Sequence, residues 1–278
     1  MGSSTQRSSM EPRVFRQIAD IVYQRAGICL KEGKEALVSA RLSKRMRALG
    51  LVSHREYLHH LQGDGSGEEL VQLLDAISTN VTSFFREKQH FDFLADAVKG
   101  WVGEGQRRFR FWSSACSSGE EPYTLSMVVQ EALKGVDTFD LRILATDIST
   151  RILQRSLAGQ YGEEKVKTVP PGLRSAWFDR SGSSGSYRYT VKPALRRVLT
   201  FKRLNLSVTP FPMNGPMDAV FCRNVMIYFD NPVRKRLLDE IYRLLKPGGY
   251  LFVGHAESLT GMVSSFRSVL PSIYVKGG

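Results

Sequence analysis

A chain of 278 residues is long enough for one large domain or a medium domain with a smaller companion, and 42% hydrophobic content is too much for a disordered polymer. No apolar run approaches the roughly 18 residues of a membrane helix, no signal-peptide hydrophobic region is seen, and Cys29, Cys116 and Cys222 lack disulfide or zinc-ligand spacing, so a cytoplasmic protein without membrane insertion is expected. The net charge of +12 is uneven: residues 165–203 carry ten Lys and Arg against Asp179 alone (+9), while residues 1–75 carry eleven against nine (+2). Such a segment attracts an acidic partner or is a solvated basic surface, and composition leaves both open.

Residues 1–10 read as a tail outside the fold. Four helices follow. Pro12 opens the first, with an apolar stripe of Val14, Ile18, Ile21 and Val22, and Gly27 ends it. The second runs from Lys34 to Leu49 and stops at Gly50. Ser53 with Glu56 three residues on forms a capping box for the third, and Glu68 to Ser78 is the fourth. On the second helix Arg41, Lys44 and Arg45 fall at i, i+3 and i+4, with Arg47 close by. They form either a partner-binding face or a solvated one.

Past residue 80, strands and helices alternate, the pattern of a parallel α/β sheet. Asn80 to Arg86 is a polar and aromatic junction into a helix over residues 87–99. Phe109 to Ser113 reads as a strand, residues 114–119 as a loop of small residues, and Pro122 to Leu133 as a helix. A loop of this kind lets a ligand approach the backbone, yet it has one glycine, and Glu120 and Glu121 stand where a phosphate would compete for the same donors. Leu141 to Thr146 is a second strand ending at Asp147, which suits ribose hydroxyls or a simple helix cap before Ser149. Cys116 has no base beside it and reads as a packing residue.

The basic segment then interrupts the alternation. Tyr187 to Val191 alternates like a half-exposed strand after a glycine–serine turn at 181–186, so a small β subdomain is inserted at about 165–197. Val198 to Lys202 resumes the sheet, and Asn205-Leu206 follows. Met217 to Cys222 is a buried strand that leads into Arg223, Asn224 and Tyr228. Asn231-Pro232 starts a helix, Lys246 to Gly249 turns the chain into a strand over 250–254, and a last strand lies near 272–276.

Five separate stretches in this order resemble a known family: Asn80 to Arg86, Ala115 to Tyr123, Ala145 to Ile148, Phe221 to Phe229, and Gly254-His255-Ala256-Glu257. They resemble the bacterial chemotaxis receptor methyltransferases, the CheR family of S-adenosylmethionine-dependent enzymes. The resemblance implies an α/β fold with a Rossmann-like methyltransferase sheet and an inserted β subdomain, preceded by a small all-α domain. The domains would be 11–79 and 80–278. It also implies S-adenosylmethionine as cofactor, S-adenosylhomocysteine as product, and no metal.

By the same resemblance Asn80, Thr82, Arg86 and Glu120, with Ala115 in the loop, would surround the cofactor's methionine end. Asp147 would hold the ribose, and Asn205, Leu206, Arg223 and Asn224 would line the adenine and central pocket. Arg86 and Tyr228 would handle the substrate carboxylate. The substrate would be glutamates of a chemoreceptor's cytoplasmic helical domain, docked by Arg41, Lys44 and Arg45. In part of the family the β subdomain also holds a receptor C-terminal peptide by strand addition, a use the Arg180 to Tyr187 turn leaves open here because it departs from the family's glycine pattern. The enzyme would act as a monomer. Methyl transfer to RNA or a small molecule is the alternative, against which stands the lack of an aromatic-rich basic stripe for bases. A non-catalytic scaffold is another, opposed by the intact Arg86 and Tyr228.

Overall fold

The apolar periodicity of the first 77 residues resolves into helices α1 (Pro12–Ala26), α2 (Glu35–Leu49), α3 (His54–Gly63) and α4 (Glu68–Ile77). The computed structural model describes residues 10–77, 82–183, 185–259 and 265–277; the expected tail, Asn80 and Ser184 of the glycine–serine turn lie wholly or partly outside them. Gly27 and Gly50 end their helices in the left-handed conformation that glycine alone adopts without strain. Ser53 caps α3 by accepting the Glu56 N–H, and Glu56 reaches back to the Val52 N–H, one residue earlier than a standard capping box.

These helices form one compact unit, which also takes in Tyr228–Asp230. Phe229 bridges to Ile28, the Cys29 N–H donates to the Tyr228 carbonyl at 2.8 Å, and the Tyr23 hydroxyl donates to Asp230. At its centre lies a buried acid, Glu69, which is 3% exposed. Arg45 forms an ion pair with it, with Nε at 3.0 Å, and the buried Tyr57 hydroxyl donates to it at 2.7 Å.

The second unit is built on a parallel sheet: β1 (Arg108–Ser113), β2 (Asp140–Asp147), β6 (Leu199–Arg203), β7 (Met217–Cys222) and β8 (Leu245–Val253), with β9 (Phe266–Leu270) and β10 (Ile273–Lys276) antiparallel at one edge. Among the described residues its order is β6-β2-β1-β7-β8-β10-β9. The first strand therefore lies inside the sheet, between β2 and β7, and the chain departs from it in both directions, which opens a crevice at the carboxyl ends of the strands. Every residue of β7 is buried, as expected of a strand covered on both faces. Its one acid, Asp218, accepts the Arg110 N–H at 2.6 Å and pairs with Lys246 at 2.7 Å, joining β1 to β8. Helices α5 (Gln89–Gly103), α6 (Glu120–Ala132), α7 (Thr150–Ala158) and α11 (Asn231–Leu244) complete the layers, and Phe91, Phe221 and Phe252 stack in succession beneath α5.

Between α7 and β6 lies the inserted subdomain, an antiparallel sheet of β3 (Gln160–Gly162), β5 (Arg188–Val191) and β4 (Phe178–Ser181) in that spatial order. Short helices α8 (Glu163–Val166), α9 (Pro171–Trp177) and α10 (Pro193–Arg196) connect it. The observed insertion begins at Gln160, because the three-residue β3 is too short to show a periodicity of its own. A second difference concerns residues 246–249. Met217 is paired with Leu245 but Ala219 with Tyr250, so the Lys-Pro-Gly-Gly run is a bulge inside β8, with Gly248 at φ +72°, and not a turn before it. No helix of the described residues is long and apolar enough to cross a membrane.

Glu69 makes a direct prediction. Glu69→Ala leaves Arg45 without its partner and the Tyr57 hydroxyl without its acceptor, and should lower stability by about 2 kcal/mol or more in chemical denaturation of the full chain. A loss below ~0.5 kcal/mol would show the ion pair to be dispensable.

Candidate active site

Each loop at the carboxyl edge of the sheet is fixed by side-chain bonds that sequence spacing does not reveal. After β1 the chain passes through Ser114 to Gly119 before α6 begins. The Ser114 N–H donates to the Phe221 carbonyl and the Cys116 N–H to the Thr146 carbonyl, so the loop spans the tips of β7 and β2. Ser117 has φ +47° and Gly119 φ +96°. A side chain at Gly119 would lie 2.8 Å from the Tyr161 hydroxyl and 3.1 Å from Ser156, so only glycine fits.

Asp147, at the tip of β2, accepts the Ser117 N–H at 2.9 Å through one carboxylate oxygen and the Ser149 N–H at 3.0 Å through the other. It is thus a local cap and a brace for the loop together. The Leu204 N–H donates to the Asp147 carbonyl, which brings Asn205 and the buried Leu206 to the same edge. Asn205 Oδ1 accepts the backbone and hydroxyl of Ser207. Ala115 is half-buried in the loop. Cys116 is buried, and burial, then the charges of Asp147 and Glu121, hold its thiol well above the usual range, so it serves as packing and not as a nucleophile.

Glu120 and Glu121 sit side by side in the first turn of α6 but face different partners. Glu120 is fully buried; Ser118 Oγ donates to its Oε2 at 2.6 Å, and Lys165 Nζ lies 2.9 Å from its Oε1 and donates to the Thr82 carbonyl. Glu121 accepts Ser113 Oγ and Arg223 Nη1, at 2.7 and 2.9 Å. Burial raises its pKa more than those bonds lower it.

Arg86 stands in a tight turn, Phe84 to Lys88, flanked by Phe85 at φ +56° and Glu87 at φ +55°. Two non-glycine residues in the left-handed region, one on each side of Arg86, mark a backbone held by its surroundings. Arg223 holds it: its guanidinium donates to the Arg86 carbonyl, to Glu87 at 2.9 Å and to Glu121, and lies over the Phe91 ring. Of the residues expected to line the pocket, Arg223 has its side chain committed to the protein interior.

Asn224, at φ +57°, is held through its backbone. The buried Glu257 accepts the N–H groups of Asn224, Gly254 and Ile227 at 2.6, 2.8 and 3.2 Å. Sequence reasoning gives Glu257 a place in the Gly254-to-Glu257 motif but no role; the signal for one is its position three residues past Gly254, where a buried strand ends. A Cβ at Gly254 would overlap Asn224 and Glu257.

The remaining predicted residues separate. Asn80 lies outside the described residues, and Thr82 contributes its carbonyl to Lys165. Tyr228 belongs to the helical unit described above. On α2, Arg45 is committed to Glu69 and Arg41 donates to the Ile77 carbonyl, while Lys44 and Arg47 are exposed. Helical spacing places Arg41, Lys44 and Arg45 on one face but does not reveal that Arg41 and Arg45 turn inward.

Three polar side-chain atoms of this loop region, on Ser114, Ser117 and Glu120, are buried without a hydrogen bond among the described residues. With two carboxylates, Glu120 and Asp147, and no basic residue in 114–119, the edge fits a nucleoside ligand carrying hydroxyl and ammonium groups and suits a phosphate poorly. Glu87, His90 and His255 place possible ligand atoms within 4.8 Å of one another, but both Glu87 oxygens are engaged, by Arg223 and by the His255 N–H. That group is an ion-pair site first.

Sheet order and the two carboxylates together are those of an α/β protein suited to a nucleoside ligand that carries hydroxyl and ammonium groups. Residues 80–275 match the CheR methyltransferase SAM-binding domain, and residues 13–78 the CheR methyltransferase all-alpha domain. The chain belongs to the CheR methyltransferase family. It is 38% identical over 260 residues to chemotaxis protein methyltransferase 2 of Pseudomonas aeruginosa, covering 94% of this chain and 91% of that one. It is 37% identical over 270 residues to the chemotaxis protein methyltransferases of Salmonella typhimurium and Escherichia coli, covering 97% of this chain and 92% and 93% of theirs.

His90 offers a test of the buried network. Burial, then the Arg223 charge, lowers its pKa to about 4, so it is neutral in the fold. The unfolded chain takes up a proton near pH 6.5 that the folded one refuses until about 4, so stability falls as pH drops through that interval. His90→Phe should flatten the stability–pH slope between pH 6.5 and 4, read by urea titration at several pH values. An unchanged slope would show that His90 is not the group responsible.

Proposed function

We propose that this protein transfers a methyl group from S-adenosylmethionine to glutamate side chains on the cytoplasmic helical domain of chemoreceptors, forming glutamate methyl esters. The observation that carries the cofactor half of this reading is the placement of two carboxylates, Glu120 and Asp147, beside a loop that has no basic side chain of its own. The substrate half is supported by the names of relatives that match nearly the whole chain.

Glu120, with the Thr82 carbonyl, would hold the cofactor's ammonium group, Asp147 the ribose hydroxyls, and Asn205 and Leu206 the adenine; Asn80, Ala115 and the backbone of Arg223 and Asn224 would complete the surface. When bound, the cofactor supplies a methyl group on a positively charged sulfur. A glutamate side chain with an ordinary pKa of about 4.3 is already ionised at neutral pH, so the protein has no proton to remove. Its work is alignment and exclusion of water. Arg86 would orient the carboxylate bidentately and Tyr228 donate a hydrogen bond to it. Neutralising the carboxylate more strongly would stabilise the ground state as much as the transition state, so orientation is the larger contribution.

The exposed Lys44 and Arg47 of α2 would meet the glutamate-rich receptor helix, with Arg41 and Arg45 supporting that face from within. Among the described residues β3 and β4 are the outer strands of the β subdomain, and a receptor C-terminal peptide would add as a strand at one of these edges. The enzyme would act as a cytoplasmic monomer.

Incubation with tritiated S-adenosylmethionine and a receptor cytoplasmic fragment should give protein label that base releases as methanol. Label confined to RNA, or none, would overturn the reading. Arg86→Ala should lower kcat/KM by about 100-fold. Lys44→Glu with Arg47→Glu should weaken methylation at subsaturating receptor while leaving cofactor affinity intact; equal methylation would remove α2 from the docking surface.

A further inference from the structure

Glu120 poses a problem that the protein must solve before any ligand arrives. A carboxylate with no exposed surface costs several kcal/mol unless a cation or strong donors satisfy it. Ser118 Oγ satisfies one oxygen, and Lys165 meets the other. Lys165 comes from α8 of the inserted subdomain, far from α6 in sequence, and its ammonium lies 2.9 Å from both Glu120 Oε1 and the Thr82 carbonyl. Its side chain is 47% exposed, so it has solvent to retreat into.

The cofactor reading assigns that same pair of acceptors to an α-ammonium group. A lysine ammonium and an amino-acid ammonium are alike in charge and in their three donors. Glu120 Oε1 has the lysine near it but makes no hydrogen bond, as suits a stand-in that supplies charge without ideal geometry. We propose that Lys165 is a built-in occupant of the ammonium subsite, displaced when the cofactor's amino-acid end arrives. Cofactor binding then exchanges one ion pair for another, and its net gain is the difference between them.

The inserted subdomain is thereby tied to the cofactor loop at two points. One five-residue stretch delivers both: Tyr161 of β3 donates to the Ser118 carbonyl at 2.8 Å, and Lys165 of α8 follows four residues later. Tyr161 is buried and stays; Lys165 is half-exposed and can move.

This inference rests on Glu120 receiving the cofactor's ammonium, and calorimetry can separate the two claims. S-adenosylhomocysteine and its analogue lacking the α-amino group are titrated into wild type, Lys165→Met, Lys165→Arg and Glu120→Gln. Lys165→Met should bind S-adenosylhomocysteine about five- to tenfold tighter than wild type, because no internal ion pair is broken. Its preference for that ligand over the desamino analogue should rise by a similar factor, since in wild type Lys165 can stay in place under the analogue. Lys165→Arg, which keeps the cation, should resemble wild type in both respects. Unchanged or weaker binding by Lys165→Met, with Glu120→Gln still impaired, overturns the displacement and leaves the Glu120 reading standing. Undiminished binding by Glu120→Gln removes both.

Discussion

The buried guanidinium of Arg223 is the constraint on which the site depends. It joins residues 136 and 102 positions away, Glu87 and Glu121, and takes the Arg86 carbonyl as well. A single cation between two largely buried carboxylates leaves an excess negative charge, and the two acids divide its consequences. Burial pushes the Glu87 carboxyl up, but Arg223 and the His255 N–H outweigh it and its pKa falls; at Glu121 burial wins and its pKa rises. Removing Arg223 would leave both acids buried without a counter-charge, which costs far more than the pair contributes when intact. The left-handed turn that presents Arg86 persists because this clamp holds its carbonyl and its following side chain together.

The loop after β1 follows the same logic on a smaller scale. The N–H groups of Ser114, Cys116 and Ser117 are spent on Phe221, Thr146 and Asp147, which leaves fewer backbone donors for the phosphate-cradling use of such a loop. What it presents is carboxylate oxygen and small hydroxyls. The absence of a second glycine, which weakens a dinucleotide reading, reflects the fact that only Gly119 meets Tyr161 and Ser156 closely enough to forbid a side chain.

Much of this was legible in sequence where the determinants are local. Asp147 ends a strand and begins a cap within three residues; the small-residue loop and the glutamates of α6 are contiguous; β7 is an unbroken apolar run. What sequence could not supply is which long-range partner each charge meets. Arg223 reads as a pocket-lining arginine because it follows a strand end, yet its partners come from α6 and from the turn before α5. Arg45 falls on the predicted face of α2, but Glu69, 24 residues on, draws it inward. Glu257 binds three N–H groups, two of them more than 25 residues upstream, and no spacing rule reports that.

These long-range ties also explain why so few groups in the site are free to do acid–base work. His90 is held neutral, Cys116 is held protonated, Glu87 and Glu121 are clamped, and Glu257 is consumed by backbone donors. A reaction that required a general base would need one of these released. A carboxylate nucleophile that is ionised before it arrives requires none, so an enzyme of this kind can commit its ionisable residues to rigidity. Lys165 is different: its side chain is half in solvent while its partner Glu120 is fully buried. On the displacement proposed above, this ion pair is where selectivity for the amino-acid end of the cofactor would be decided.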